Sequence, residues 1–490
     1  MTPMIPALLL AATLQSLTLQ QCVERALANN LDIAVERINP RIETWGVVSA
    51  QSVYDPVLSG GVGYEDTSTP LSPRDATSLR TGSEKDRQLT LQTGLTGKLP
   101  TGASFTLTGL DTRDSGTFTS NMFVHTGMAG VSGSQPLLKD FGFSVNSAQI
   151  RVARKSYQIA QQNFALKVMD VVRAVNNAYY ELVFAIENHK ALLEDLDRAK
   201  LLLDENRKRV QIGVLSPLDV TQAEAGVAER EEAVIVAEQT IHDSENVLKR
   251  LISRDVIEFR GMELLPADYP VVHMVETDVD RSIRSALETR PDFLALKHEL
   301  EKQGILVKFN RNQLWPQIDL QGSYGLNGRS GSSTRSGTFG EFTDDVGTGN
   351  NPAWSVGVAI SFPLGNRQAR ANYHIARLNE DAAVINLKKL EQDIIVQVDN
   401  AVRQVQTNLK RVEATAVASR LAQESLNAEL EKLRAGTSTS FLVLQAQSQL
   451  AAARSAEIRA RSDYSESLAQ LARVEGTILR QNDVVLDESR

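Results

Sequence analysis

Two stretches of sequence decide the fold of this chain: Arg209-Val-Gln-Ile-Gly-Val-Leu-Ser-Pro-Leu-Asp-Val220 and Leu433-Arg-Ala-Gly-Thr-Ser-Thr-Ser-Phe-Leu-Val443. Each follows a long run without glycine or proline, at residues 147–211 and 368–434. A glycine, Gly213 or Gly436, stands at the end of each run, where a left-handed backbone ends a helix at little cost. The sequence therefore predicts two helical hairpins, each turning at a glycine into a second helix of about 35 to 40 residues.

These hairpins belong to an internal duplication, in which matched residues are separated by one of two fixed distances along the sequence. The matched pairs are Ala26 with Ala286, Pro56 with Pro316, Tyr64 with Tyr324, Ala178 with Ala401, Gly213 with Gly436 and Val220 with Val443. A chain of 490 residues would otherwise suggest about three globular domains. The matches instead predict one architecture built twice, a first repeat over residues 17–265 and a second over 266–480, with a short polar tail at 481–490.

Heptad-like spacing predicts that the arms pack along their length. The seam of the first run is Val168, Val171, Val175, Ala178, Leu182, Ala185, His189, Leu192, Leu196, Ala199 and Leu203, and that of the following run is Val220, Val227, Val234, Ile241 and Leu248. Sustained repeats near 3.5 residues imply supercoiled antiparallel helices. In the second repeat the seam consists of small residues, Ala446, Ala453 and Ala460, which lets the two helices approach closely.

Each repeat begins with a shorter helical stretch followed by strands. The helices are expected at residues 18–52 and 278–313, with breaks near 29–30 and 290–291. Period-two alternation predicts four strand segments, at 57–64, 128–138, 318–324 and 354–362. Residues 65–87 and 327–351 are expected to be long polar loops. An extra hairpin, 88–99 with 103–110, accounts for the longer first repeat, and the sequence leaves open whether it joins the sheet.

The strands favour a membrane β-barrel. Alternating apolar and polar residues, long loops and aromatics near strand ends are typical of outer-membrane barrels. A few strands without a core do not form a stable sheet in water. The alternative is a soluble β-ribbon on a coiled-coil rod.

Composition excludes several other classes of function. The net charge of -8 argues against non-specific nucleic-acid binding, which needs a basic face. The single cysteine, Cys22, excludes a disulfide framework and is expected to be a half-buried free thiol on a helix. Six scattered histidines suggest no metal cluster, and no HExxH, GxSxG, GxGxxG or Walker A motif is found. We therefore expect no catalytic site, no metal and no cofactor.

The first residues favour export. Residues 1–16 contain an apolar stretch about as long as the core of a signal peptide, although no Lys or Arg precedes it. The alternative is an apolar tail without a targeting role.

The sequence resembles the TolC family of trimeric outer-membrane efflux factors over almost all of residues 18–479. The resemblance rests on the two glycine stretches and on residues 286–292, 314–316, 135–137 and 362–364. It implies a mainly α fold with a membrane β-barrel portion: a homotrimer in which each chain gives four strands to a twelve-stranded barrel on a long α-helical barrel.

The resemblance also implies function, location and partners. The helical barrel would lie in the periplasm and the β-barrel in outer-membrane lipid. The trimer would form the exit duct of a tripartite efflux or type I secretion system, with a periplasmic adaptor and an inner-membrane pump or ABC exporter. The alternative function is a periplasmic coiled-coil scaffold or adaptor without channel activity.

Site residues are carried over from the resemblance at the two turns. The residues expected to dock the adaptor are Gly213, Val214, Leu215, Ser216, Leu218, Gly436, Thr437, Ser438 and Thr439. Asp219, Phe441, Leu442 and Gln445 are expected at the pore constriction. The best-known members of the family carry two acidic residues, three positions apart, where this chain has Leu442 and Gln445. We therefore expect a more apolar constriction that gates by dewetting.

Overall fold

The computed structural model describes residues 13–74, 76, 82–259 and 261–485. Two compact units share these residues. One comprises residues 1–41, 159–297 and 386–490, and the other 42–158 and 298–385. Each unit draws on both sequence repeats, so the repeats predicted at 17–265 and 266–480 do not coincide with the compact units. Their division of the chain stays a prediction.

The shorter helices occur twice, as the duplication predicts. The first repeat has α1 (Leu19–Asn29) and α2 (Leu31–Gln51), and the second has the pair Val279–Thr289 and Pro291–Asn312. Both predicted breaks are confirmed. At the first break, the Asn30 side chain accepts the backbone N–H of Asp32 at 2.9 Å and so caps α2. At the second, Pro291 occupies the first helical position, where its missing N–H costs nothing.

Four long helices form the two hairpins. After the short helix α3 (Phe143–Asn146) come α4 (Ala148–Gln211) and α5 (Pro217–Ile252). The second hairpin consists of α9 (Arg367–Arg434) and α10 (Ser440–Glu475), and the short α11 (Ile478–Gln481) follows it. The shorter pair of the second repeat is α6 (Val279–Thr289) and α7 (Pro291–Asn312). At 1.5 Å per residue, α4 is about 100 Å long. None of the helices in the described part of the chain is both long and apolar enough to cross a membrane.

The predicted helical seams are the buried faces. Most seam residues of α4, from Val168 to Leu203, are buried, while His189 and Leu192 are only partly so. Near the turn, Leu196, Ala199 and Leu203 of α4 pack against Ala223, Val227 and Val234 of α5. Ala446 and Ala460 of α10 are buried as well. The heptad pattern therefore identifies the core of the hairpins.

Within the described residues the large sheet has six strands, where four are expected. Its order along the chain is β2 (Val57–Pro70), β3 (Ser83–Lys98), β4 (Ser104–Gly116), β5 (Val124–Pro136), β7 (Gln317–Ser330) and β8 (Pro352–Ser361), and each strand is antiparallel to the next. The four predicted segments are confirmed, and the extra hairpin joins the sheet as β3 and β4. The count of four strands per chain is wrong, whereas the mainly helical class with a β portion is confirmed.

Both predicted loops contain regular structure. Residues 65–70 extend β2 because they pair with 83–88 of β3, so the loop predicted at 65–87 is shorter than expected. The loop predicted at 327–351 contains the end of β7 and the helix α8 (Phe339–Thr348). Gly, Ser, Thr and Asp make these segments look like loops, but cross-strand pairing satisfies their backbone groups.

A two-stranded parallel sheet lies near the chain's beginning. β1 (Thr13–Leu17) pairs with β6 (Met262–Pro266), from Thr13 with Met262 to Leu17 with Pro266. The predicted leader boundary at residue 16 falls within β1, and the leader stays a prediction. Residues 1–12 of the predicted leader and 486–490 of the predicted tail lie outside the described residues.

The lone cysteine is fully buried. Cys22 lies on α1 in a core with Val23, Ala26 and residues of α4, so its predicted half-burial is wrong. Burial raises the pKa of the Cys22 thiol to about 12, chiefly because the thiolate would lose its hydration. The thiol is therefore a packing group rather than a reactive one.

Candidate functional site

The two glycine turns, which we call the tip (residues 209–220 and 433–443), have the same backbone geometry. Gly213 has a φ of 77°, and its N–H donates to the Val210 carbonyl at 3.0 Å. The Val214 N–H donates to the Arg209 carbonyl at 2.9 Å. This pair of bonds is the Schellman motif, which satisfies the last carbonyls of α4 and needs a left-handed residue at the turn.

The second turn repeats this arrangement. Gly436 has a φ of 75°, and its N–H donates to the Leu433 carbonyl at 3.2 Å. The Thr437 N–H donates to the Lys432 carbonyl at 2.9 Å. Among the described residues, no atom lies within 4 Å of where a Cβ would stand on either glycine, so the backbone angle rather than lack of space favours glycine here.

Side-chain caps begin the returning helices. Ser216 accepts the Leu218 N–H at 3.2 Å, and the Asp219 carboxylate accepts the Ser216 N–H at 3.0 Å. This capping box places an anion in the first turn of α5, where the helix dipole favours it. Thr439 caps α10 through the Leu442 N–H at 3.4 Å. Asp219 and Thr439 therefore have structural roles at the tip.

A buried asparagine joins the two hairpins at the tip. Asn206 of α4 is fully buried and donates to the Asp219 carbonyl of α5 at 3.4 Å. Its side-chain oxygen accepts the Ser440 hydroxyl of α10 at 3.0 Å. The Arg209 guanidinium adds a bond of 3.4 Å to the Leu433 carbonyl. The two turns are thus fixed side by side.

Sequence reasoning missed this connection. Asn206 and Ser440 lie 234 positions apart, and Asn206 lies outside both glycine stretches. The one available signal is that Asn206 interrupts a run of charged residues close to the end of α4.

The docking candidates form an exposed surface with apolar side chains. Val214 and Leu218 are 66% and 62% exposed, and Leu215 is half-buried. In the second turn the Ser438 hydroxyl donates to the Glu429 carboxylate, and Thr437 is exposed. Isolated exposed apolar residues are ordinary, but several at one turn are typical of a contact surface.

The constriction candidates divide between two helices. Phe441, Leu442 and Gln445 are exposed on α10, while the neighbouring Val443 and Ala446 are buried against α4 and α9. Asp219 lies on α5 and is half-buried. Three of the four residues therefore share one exposed face, and the fourth is engaged in a cap.

An acidic cluster lies farther along the same unit. Arg459 of α10 bonds to Glu181 of α4 at 2.6 Å and to Asp463 at 2.8 Å. Burial, and then the negative charge of Glu181, raise the pKa of the nearby Glu466 to about 7. Within the residues that the structure describes, no group of three or more His, Cys, Asp or Glu is placed to hold a metal ion.

A buried ion pair also links the arms of the first hairpin. Arg230 of α5 bonds to Asp195 of α4 at 2.6 Å and to the Gly226 carbonyl at 2.9 Å. Both side chains are less than a tenth exposed. Removing either partner would leave the other charge buried without its counter-charge, which is costly.

Comparison with known proteins identifies relatives along most of the chain. The family model described as outer membrane efflux protein matches residues 22–254 and 282–477. The outer membrane efflux protein BepC of Brucella suis is 24% identical over 457 residues, which cover 91% of this chain and 82% of that protein. The outer membrane protein TolC of Vibrio cholerae is 22% identical over 365 residues, covering 72% and 77% of the two chains.

Solved structures share the fold. The CmeC outer membrane channel of Campylobacter jejuni superposes with a TM-score of 0.67 at 18% identity, covering 96% of this chain and 87% of that one. The outer-membrane channel OprN gives a TM-score of 0.69 at 18% identity, covering 94% and 90%. The TolC-like fold expected from the sequence is therefore confirmed.

Proposed function

The chain belongs to the outer membrane efflux protein family, and from that premise we propose that its tip is the periplasmic entrance of an exit duct. Proteins of this family are outer-membrane efflux channels rather than enzymes, and they are trimers that work with adaptors and inner-membrane pumps. For this chain we infer a homotrimer whose helical hairpins extend into the periplasm. It receives cargo from an inner-membrane pump or ABC exporter through a periplasmic adaptor.

The pairing of the two turns supports this proposal most directly. Helix ends need only a cap to be stable, and each turn already has one. The additional bonds from Asn206 and Arg209 hold the turns next to each other, with Val214 and Leu218 left exposed. A rigid, repeated surface with apolar side chains suits a protein partner.

The exposed face of α10 supports a constriction at the same end. Phe441 and Leu442 are exposed in the first turn of α10, shortly after Gly436. The neighbouring buried residues of α10 hold the helix in place. In a trimer this face would be repeated three times around the axis. Apolar rings close a narrow passage by excluding water. Asp219 contributes by ordering the start of α5 through its capping bond.

Site-specific crosslinking tests the docking surface. A photo-reactive residue at Val214 or Leu218 should capture the adaptor in cells, because both side chains are exposed at the tip. Ile235 on α5 is a matched control, since it is apolar and 65% exposed but lies away from the turn. Capture at Ile235 and not at the two tip positions would contradict the assignment.

Fractionation separates the channel from a scaffold. A channel is recovered from the outer membrane as a trimer that heating dissociates. A periplasmic scaffold or adaptor would be recovered in the soluble periplasmic fraction, and that result would exclude the proposed duct.

A further inference from the structure

The inserted hairpin is an integral part of the sheet. β3 pairs with β2 over the whole length of β2, from Val57 with Thr96 to Pro70 with Ser83. β4 pairs with β5 from Ser104 with Ser134 to Asp114 with Val124. β2 and β5 have no direct pairing in the described residues, because β3 and β4 lie between them. Moving the hairpin out of the sheet would break both of these ladders.

The inserted strands have the same two-faced pattern as the strands around them. One row of paired residues crosses the whole sheet on one face: Leu58, Leu95, Leu107, Val131, Tyr324 and Trp354. The opposite face of β3 and β4 carries Thr90, Gln92, Thr96, Thr106, Thr108 and Thr112. An apolar outer face and a polar inner face are what a barrel strand needs in a membrane.

His125 and Asp111 are polar residues on the apolar face, and helix α8 covers them. The His125 ring nitrogen lies 3.0 Å from the Asp111 carboxylate, and both side chains are buried. Phe342 of α8 stacks on His125 at 6.5 Å between ring centres. The outward residues of α8 include Glu341 and Asp344, which are exposed. This covered, hydrophilic end lies beyond the apolar row, so the row can face lipid.

The two edges of the sheet require partners. β2 and β8 each pair with one neighbour in the described residues, which leaves a row of backbone groups without strand partners on each edge. Such edges are not tolerated in lipid. Because the sheet has six strands, each antiparallel to the next, its edge strands β2 and β8 run in opposite directions. β8 of one copy can therefore pair with β2 of the next in the antiparallel sense found throughout the sheet.

We propose that β3 and β4 make this chain a six-strand contributor to a shared eighteen-stranded barrel closed by two further copies. The proposal rests on the trimeric channel inferred above. At a strand spacing near 4.8 Å and a tilt near 40°, eighteen strands enclose a barrel about 36 Å across, against about 24 Å for twelve. The membrane opening is then wider, and passage is limited at the tip.

Electron cryo-microscopy of the purified full-length trimer tests the strand count. Eighteen strands across the membrane band, with β3 and β4 between β2 and β5, are expected. A trimer with twelve strands and the hairpin outside the barrel would overturn this inference while leaving the proposed channel intact. A monomer, or a protein absent from the outer membrane, would overturn both.

Cysteine labelling of intact outer membranes gives a second test. Thr108→Cys faces the polar side and Leu107→Cys the apolar side of the same strand, so each controls for the other. A charged, water-soluble maleimide should label Thr108→Cys, and labelling of Leu107→Cys should be lost until detergent removes the lipid. Cys22 is buried and contributes no background. Equal labelling of both positions in the membrane would place the hairpin in water and overturn the inference.

Discussion

At the residue scale, local chemistry and long-range contacts differ in how well they can be predicted. Gly213 and Gly436 are recognisable because a helix end needs a left-handed residue, and both adopt positive φ. Asn206 is not, since its bond to Ser440 depends on how two distant hairpins meet. The sequence pattern therefore locates the tip, and only the structure explains its rigidity.

The turn glycines give a first prediction. Gly213→Ala or Gly436→Ala should lower the thermal unfolding midpoint of the solubilised trimer, because alanine in a left-handed conformation costs about 1 to 2 kcal/mol. Gly213→Asn should lower it less, since asparagine tolerates that conformation. Gly46→Ala in α2 is the control and should raise the midpoint instead. The added Cβ makes only ordinary contacts, and alanine has a higher helix propensity than glycine. An unchanged midpoint in both turn variants would contradict the role of the φ angle.

Glu466 gives a prediction about pH. Burial raises its pKa to about 7 from the ordinary value of 4.5, and the charges of Glu181 and Asp463 add to this. Between these values the folded state holds a proton that the unfolded state has released, so stability should fall as pH rises through this window. Glu466→Gln should remove that part of the fall in the thermal midpoint.

The control for this prediction is Glu413→Gln, which changes an exposed glutamate on α9. It should leave the pH profile as it is in the native protein. If Glu466→Gln kept the native fall in stability between pH 4.5 and about pH 7, Glu466 would not be the titrating group.

At the scale of elements, periodicity predicts helices better than it predicts strands. The seam from Val168 to Leu203 repeats over many turns, and the helix it predicts begins and ends where expected. The sequence predicts the hairpin of β3 and β4, which is rich in Thr and Gly, but it does not show which strands lie beside that hairpin. Their place in the sheet follows from pairing with partners that sequence reasoning does not identify.

The small seam of α10 gives a prediction at this scale. Ala460→Leu should destabilise the helical unit by about 1 to 3 kcal/mol, because a larger side chain overpacks a fully buried site. Ala452→Leu, at an exposed position of the same helix, should have little effect. Thermal unfolding of the two variants in parallel measures the difference. Equal midpoints would show that α10 does not need the close approach that Ala460 permits.

At the scale of the whole molecule, the fold predicts a conduit built by several copies. The sheet has two edges in need of partners, and the tip presents a repeated surface of exposed turns. Family membership could be inferred from the duplicated motifs, because they cover both hairpins. The strand count of the large sheet could not, since the resemblance implies four strands and the described residues form six there. The two additional strands, β3 and β4, belong to a segment of the first repeat that has no duplicate in the second.

Single-channel recording in planar lipid bilayers tests the central claim most directly. Purified native trimers should produce discrete conductance steps. Leu442→Ala should enlarge these steps, because the exposed leucine on α10 narrows the passage and excludes water from it. Val214→Ala, at the tip but not at the constriction, should conduct as the native protein does. Bilayers that carry no current above the protein-free level, or equal steps for the native protein and Leu442→Ala, would contradict the account.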